Sequence, residues 1–241
     1  NALGAITTSV LTDPNDPNTL VTTTDNSPVG MGGGIYCNSD SYITVASSNF
    51  ERNSAEEGGG FYLDVNSVGE VYDCNIAENT SARGGGLFCI DCPESRIINC
   101  AVNYNEAINV VTITQYFLPD PNDANAPPVP IQPGDPAFDP NDPNLIVIQS
   151  QDRSGVGQGG GIYSFSGPTL IADCQISYNN TSTSGGGIYF AGSKYKSIKL
   201  RNCLLTNNLA GRDGGGISNN WHNELEISNC TIADNALTGI Y

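Results

Sequence analysis

The chain has 241 residues and a mass of 25.3 kDa, with 28 Gly and only 14% charged residues, and its wealth of Gly, Asn and Thr excludes a helical bundle because these residues propagate helices poorly. Nine Lys and Arg stand against 25 Asp and Glu, a formal net charge of −16 that repels phosphate backbones and anionic bilayer surfaces, so nucleic acid is excluded as a partner. No run of about 18 apolar residues and no leader-like segment occurs, so no membrane insertion is expected of this stretch.

The first predicted element is an arm, residues 2–31. Its runs AITTSVL and LVTTT flank DPNDPN and read as a β-hairpin with a proline-stiffened tip. At Gly32 a repeat begins. Gly-Gly-Gly recurs from Gly32, Gly58, Gly84, Gly159, Gly185 and Gly214, at spacings of 26, 26, 75, 26 and 29 residues. An aliphatic or Phe residue follows each triplet, and usually an aromatic one after it. Later in each unit comes Cys-x-apolar-x-x-Asn, beginning at Cys74, Cys100, Cys174, Cys203 and Cys230, with Ser48 in place of Cys in the first unit. Three residues before this position stands Val45, Val71, Ile97, Ile171, Leu200 or Ile227, so each unit carries three short apolar strands. The long spacing contains a second arm, residues 106–158, with VVTITQYFL, DPNDAN, DPNDPN and LIVIQ, which leaves from the same corner of the repeat as the first.

Strands of this size cannot form a core alone, but stacked at about 4.8 Å they bury a continuous one. The expected fold is therefore all-β: a right-handed parallel β-helix of about six three-strand coils with two hairpin insertions, in one domain spanning residues 1–241. Alternation turns Ile35 and Cys37 inward, and likewise Phe61 with Leu63, Leu87 with Cys89, Ile162 with Ser164, and Ile188 with Phe190. The glycine triplets should supply positive φ and close approach at a corner. Ser47, Asp73, Asn99, Asp173, Asn202 and Asn229, just before the Cys position, should turn the chain left-handed and form a polar ladder. NALGAIT at Asn1 and NALTGIY at Asn235 fall in phase, which reads as a piece of a longer chain, a protomer that stacks end to end in a fibre, or a domain with caps of its own.

Four sets of residues invite a chemical reading. Cys74, Cys100, Cys174, Cys203 and Cys230 share one inward position and read as a buried thiol stack, while Cys89 and Cys92 form a CxxC suited to a local disulfide and lack the second pair that zinc needs. Asp13 with Asp16, Asp120 with Asp123, and Asp139 with Asp142 place hard oxygen ligands together on turns, so Ca²⁺ is one reading and turn formation the other. Tyr36, Tyr62, Phe88, Tyr163 and Tyr189 should point outward as a ladder broken at Ser218, either stacking on one another or meeting a sugar or a partner. Catalysis finds little support: the only histidine is His222, and no carboxylate pair with Arg and Lys recurs at one place on a coil.

GGGI at Gly32–Ile35 and FERN at Phe50–Asn53 resemble the GGA-I and FxxN repeats of polymorphic outer membrane proteins, and the other units resemble β-helix repeats of large bacterial surface proteins. The resemblance covers about two thirds of the chain; Gly stands where that family has Ala, and Phe precedes the Asn only in the first unit. It implies secretion, surface display and adhesion. The expectation is thus a non-enzymatic extracellular or cell-surface structural or adhesive β-helix whose partners are like subunits or neighbouring repeats. A carbohydrate-binding β-helix, and behind it a polysaccharide lyase or hydrolase, are the alternatives.

Overall fold

A computed structural model describes residues 7–13, 16–25, 30–92, 94–108, 111–118, 129–131, 138–139, 141–144, 146–152, 157–167, 170–192, 197–220 and 224–237. The regular elements among them are all strands, and the chain divides into two compact units: residues 1–4, 28–109 and 154–241, and residues 5–27 and 110–153.

The first unit is a parallel β-solenoid of six coils. Each coil contributes one strand to each of three six-stranded sheets. The first sheet stacks Ile35–Cys37, Phe61–Leu63, Leu87–Ile90, Ile162–Phe165, Ile188–Ala191 and Ile217–Asn219. The second runs from Tyr42–Ala46 to Glu224–Ser228, and the third from Asn49–Glu51 to Thr231–Ala233. Registers are strict: Ile35 lies beside Phe61, Phe61 beside Leu87, Leu87 beside Ile162 and Ile162 beside Ile188. A fourth sheet was not expected. Its two-residue strands Thr80–Ser81, Glu106–Ala107, Asn180–Thr181, Leu209–Ala210 and Ala236–Leu237 directly follow the repeat Asn, and two residues are too few to leave an alternation in the sequence.

The core fills the inside of the coils as the alternation implies. Phe61, Leu63, Leu87, Cys89, Ile162, Ile188 and Phe190 are fully buried, with Val71, Ile97, Ile171 and Leu200 from the second sheet and Ile76, Val102, Ile176 and Leu205 from the third. Phe50, the Phe of FERN, occupies the same inward column as Ile76 and packs edge-on against Phe61.

Three left-handed columns run through all six coils at the corners, and a shorter one, Asp40, Asn66, Asp91 and Ser166, follows the first sheet in the first four. The first glycine of every triplet has φ between 62° and 71°, as expected. The second has no room for a side chain: a Cβ on Gly59 would lie 2.4 Å from the carbonyl oxygen of Gly85 in the next coil. Ser47, Asp73, Asn99, Asp173, Asn202 and Asn229 all have φ between 50° and 56°, also as expected. The third column, Arg52, Glu78, Tyr104, Tyr178, Asn207 and Asp234, has φ between 55° and 59° and shares no side-chain chemistry that would mark it in a sequence.

The second unit is a five-stranded antiparallel sheet. Thr7–Asp13 pairs with Asp16–Asp25 as the predicted hairpin. The arms do not remain two hairpins. Val111–Leu118 pairs with Ile146–Asp152 along one edge; its other edge takes Thr22–Thr24 of the first arm and then the strand Val129–Ile131. Isolated two-stranded ribbons are marginal in water, and pairing the arms adds the strands that independent stability requires. The arms are also shorter than expected, because Met31, Glu106–Ala107 and Gln158 pair within the solenoid.

Candidate functional site

The solenoid directs most of its recurring polar positions into itself. The side chain of the repeat Asn is turned inward by the left-handed residue before it. Asn53, Asn79, Asn105, Asn179, Asn208 and Asn235 form one continuous ladder, each Nδ2 donating to the next Oδ1 at 2.9–3.0 Å. The same Oδ1 accepts the backbone N–H of the preceding Asn, and the second Nδ2 proton reaches a carbonyl of the preceding coil, such as Asn105 to Ile76 at 2.8 Å. The polar ladder expected one corner earlier is exposed and discontinuous, with Asn99 donating to Asp73 and Asn202 to Asp173. At that corner the left-handed residue itself faces water.

The thiol stack is present. Cys74, Cys100, Cys174 and Cys203 are buried, Cys230 is half-buried, and all five are free. Each thiol donates to the carbonyl two residues earlier, as Cys74 does to Tyr72 at 3.0 Å, and Ser48 makes the same bond to Ala46 at 2.8 Å. Burial pushes the Cys74 thiol up. Contact with the sulfurs of Cys100 and Cys203, and then burial, hold the Cys174 thiol far above its ordinary range. These are filled core positions, and hydrogen bonding to Cys174 lowers the Cys100 and Cys203 thiols. Cys89 and Cys92 are joined in the local disulfide.

The aromatic ladder stacks but is not an open stripe. Ring centroids of Tyr62, Phe88, Tyr163 and Tyr189 follow one another at 4.7–5.3 Å, yet these rings are only 2–6% exposed. Part of the cover is the column of residues just before the glycines. Arg83 lies over Phe88 and Tyr163, at 5.7 and 5.8 Å from the centroids, and pairs with the buried Glu57. Burial pushes up the hydroxyls of Tyr62 and Tyr163 and the carboxyl of Glu57. Only Tyr36 of the expected contact set is open, and its hydroxyl donates to Asp64 at 2.9 Å. The exposed aromatic pair is elsewhere. Tyr104 and Tyr178, in the third left-handed column, are 58% and 48% exposed and stack at 4.9 Å with planes 6° apart. A shared offset of four residues from the Cys position was the one signal that could have found them.

Of the acidic turns, Asp139 Oδ1 accepts the N–H of Asn141 and Asp142 Oδ1 that of Asn144, both at 2.8 Å, which is the turn-forming geometry. Asp13 and Asp16 are paired across the hairpin end, while Asp120, Asp123 and His222 lie outside the described residues. No cluster of three potential metal ligands occurs among the described residues. An open cavity of about 470 Å³ lies on the outer face of the second sheet, lined by Arg96, Leu170, Ser197, Lys199 and Arg201. No protein-family model, no curated protein and no solved structure matches the chain.

Proposed function

We propose that this chain is a non-catalytic structural segment of an extracellular or cell-surface protein, a stack of coils whose recurring residues serve cohesion between coils. The observation that supports this most is the Asn ladder. Its amides spend their bonding capacity on neighbouring coils, while the recurring thiols and rings are buried beside them. The resemblance to surface-protein repeats points the same way. Like coils are the natural partner: Ile227, Ile232 and Leu237 of the sixth coil are 44–58% exposed, whereas Leu200, Leu205 and Ala210, in the same columns of the fifth, are fully buried. That apolar surface fits a further coil of the same kind, from this chain or a second copy.

Sedimentation velocity over a range of concentrations, with electron micrographs, tests the self-association. Concentration-dependent, end-to-end oligomers that Ile232→Lys abolishes are expected. A monodisperse monomer at every concentration discards self-assembly, and release of reducing or unsaturated ends from acidic polysaccharides would discard the non-catalytic reading.

A second reading, glycan contact, is favoured by the exposed Tyr104 and Tyr178 pair, since flat exposed rings stack on sugar faces. On a glycan array, loss of binding in Tyr104→Ala and Tyr178→Ala supports it. Binding unchanged in both variants removes it.

A further inference from the structure

The cavity on the second sheet concentrates a scarce charge. Of nine Lys and Arg residues in a chain with a net charge of −16, three, Arg96, Lys199 and Arg201, line this one opening. The register explains how. Arg96, Leu170 and Lys199 are consecutive in-register partners on three adjacent coils, so the two cationic stems rise from the sheet about 9.6 Å apart, two strand spacings, with Leu170 between them. Ile98, Ala172 and Arg201 form the parallel row two residues along, which places the third cation on the Lys199 strand and on the same outward face. Ser197, two residues before Lys199 on that strand, adds a hydroxyl on that face.

Carboxylates border this cluster, and Glu224 is the in-register neighbour of Ser197 on the coil after. Glu70 is the in-register neighbour of Arg96 on the coil before, and Glu226 is that of Lys199 on the coil after. Glu226 binds Arg201 at 3.1 Å across exposed surface, an arrangement worth little and readily exchanged for a better acceptor. Among the described residues neither Arg96 nor Lys199 takes part in an ion pair. The cavity is open to solvent, and Leu170 is the apolar member of its lining.

We propose that this cavity is a binding site for a multiply charged oxyanion, a carboxylate, sulfate or phosphate group carried on a small molecule or along a polymer. Arg96 and Arg201 offer planar two-pronged donors, Lys199 a central point charge, and Ser197 a neutral hydrogen bond that does not depend on charge. Two cations separated by two coil steps favour a ligand with more than one anionic group over a single one.

The test is calorimetric titration of the whole chain at low ionic strength with citrate, inorganic sulfate and dextran sulfate, with neutral dextran as the uncharged control. Saturable binding of citrate or dextran sulfate is expected, stronger than that of inorganic sulfate, and weakened at least tenfold in Arg96→Gln and in Lys199→Gln. Arg212→Gln, which removes an exposed cation paired with Asp213 away from this cavity, should bind as the parent does. Citrate binding identifies a small-molecule source; binding of dextran sulfate alone identifies a polymer. All three side chains point outward, so circular dichroism and the melting temperature should be unchanged in the variants. The proposal is overturned by absence of saturable binding of all three probes, or by affinities in Arg96→Gln and Lys199→Gln equal to that in Arg212→Gln.

Discussion

The side chain of Asn105 donates two hydrogen bonds and accepts two, all within the buried ladder. Asn105→Ala therefore leaves the N–H and one Nδ2 proton of Asn79 without partners and removes a second donor from the carbonyl of Ile76. At about 1–3 kcal/mol for each orphaned buried group, the loss should be roughly 2–6 kcal/mol, read as a fall in the urea unfolding midpoint. Asn53→Ala removes only the Nδ2 bond to Asn79, from a half-buried position, and should cost about 1 kcal/mol. Equal losses at the two sites would contradict the ladder as a source of stability. The recurrence of this Asn was legible in the sequence, but its direction was not: periodicity places a residue on a corner without saying which way it faces. The same gap hid Tyr104 and Tyr178, because Arg, Glu, Tyr, Asn and Asp share no chemistry that announces a left-handed backbone. Ser164, by contrast, was placed correctly inside the core, where its hydroxyl is buried without a hydrogen-bond partner.

At the scale of elements, the first sheet depends on a lid as well as on its strands. Alternation correctly set Tyr62, Phe88, Tyr163 and Tyr189 on the outer side of each strand, but it is blind to the bridge column Glu57, Arg83, Gln158, Ser184 and Asp213, which lies alongside in sequence and in space. The lid carries an electrostatic cost. Desolvation raises the Glu57 carboxyl above its ordinary value of 4.5 despite Arg83. A carboxyl raised in the folded state binds more protons there than in the unfolded chain, so its contribution to stability falls as pH rises from about 4.5 through the folded value and is restored on acidification. Glu57→Gln should flatten that part of the profile, whereas Arg83→Met, which removes the lowering charge, should extend the falling limb to higher pH. Urea midpoints measured from pH 4 to 7 check both, and identical slopes in parent and Glu57→Gln would refute the assignment.

Across the whole molecule, most solenoid neighbours are 26 residues apart in sequence, but the third and fourth coils are separated by 74 residues, as between Asn105 and Asn179. Closing that longer loop costs only about 1 kcal/mol more, so the insertion burdens stability little and folding rate more. Its ends already meet: a Cβ on Gly157 would lie 2.0 Å from the carbonyl oxygen of Ala107. Replacing residues 109–156 with a short Gly-Ser linker should therefore keep the solenoid's melting temperature within a few degrees and speed refolding, as followed by stopped-flow circular dichroism; collapse of the solenoid would show that the insertion is required. Six near-identical coils raise a different difficulty. The glycines, the Asn and the Cys would all find equivalent partners if one coil were skipped or paired one step out of place, so these positions glue without addressing. The departures from the repeat carry the address: Ser48 in place of a thiol, the Cys89–Cys92 clasp, the 29-residue fifth coil and Ser218 where a ring would stand. Erasing them to make every coil alike should leave the cohesion between coils intact while admitting several threadings of nearly equal energy, so the irregularities number the coils.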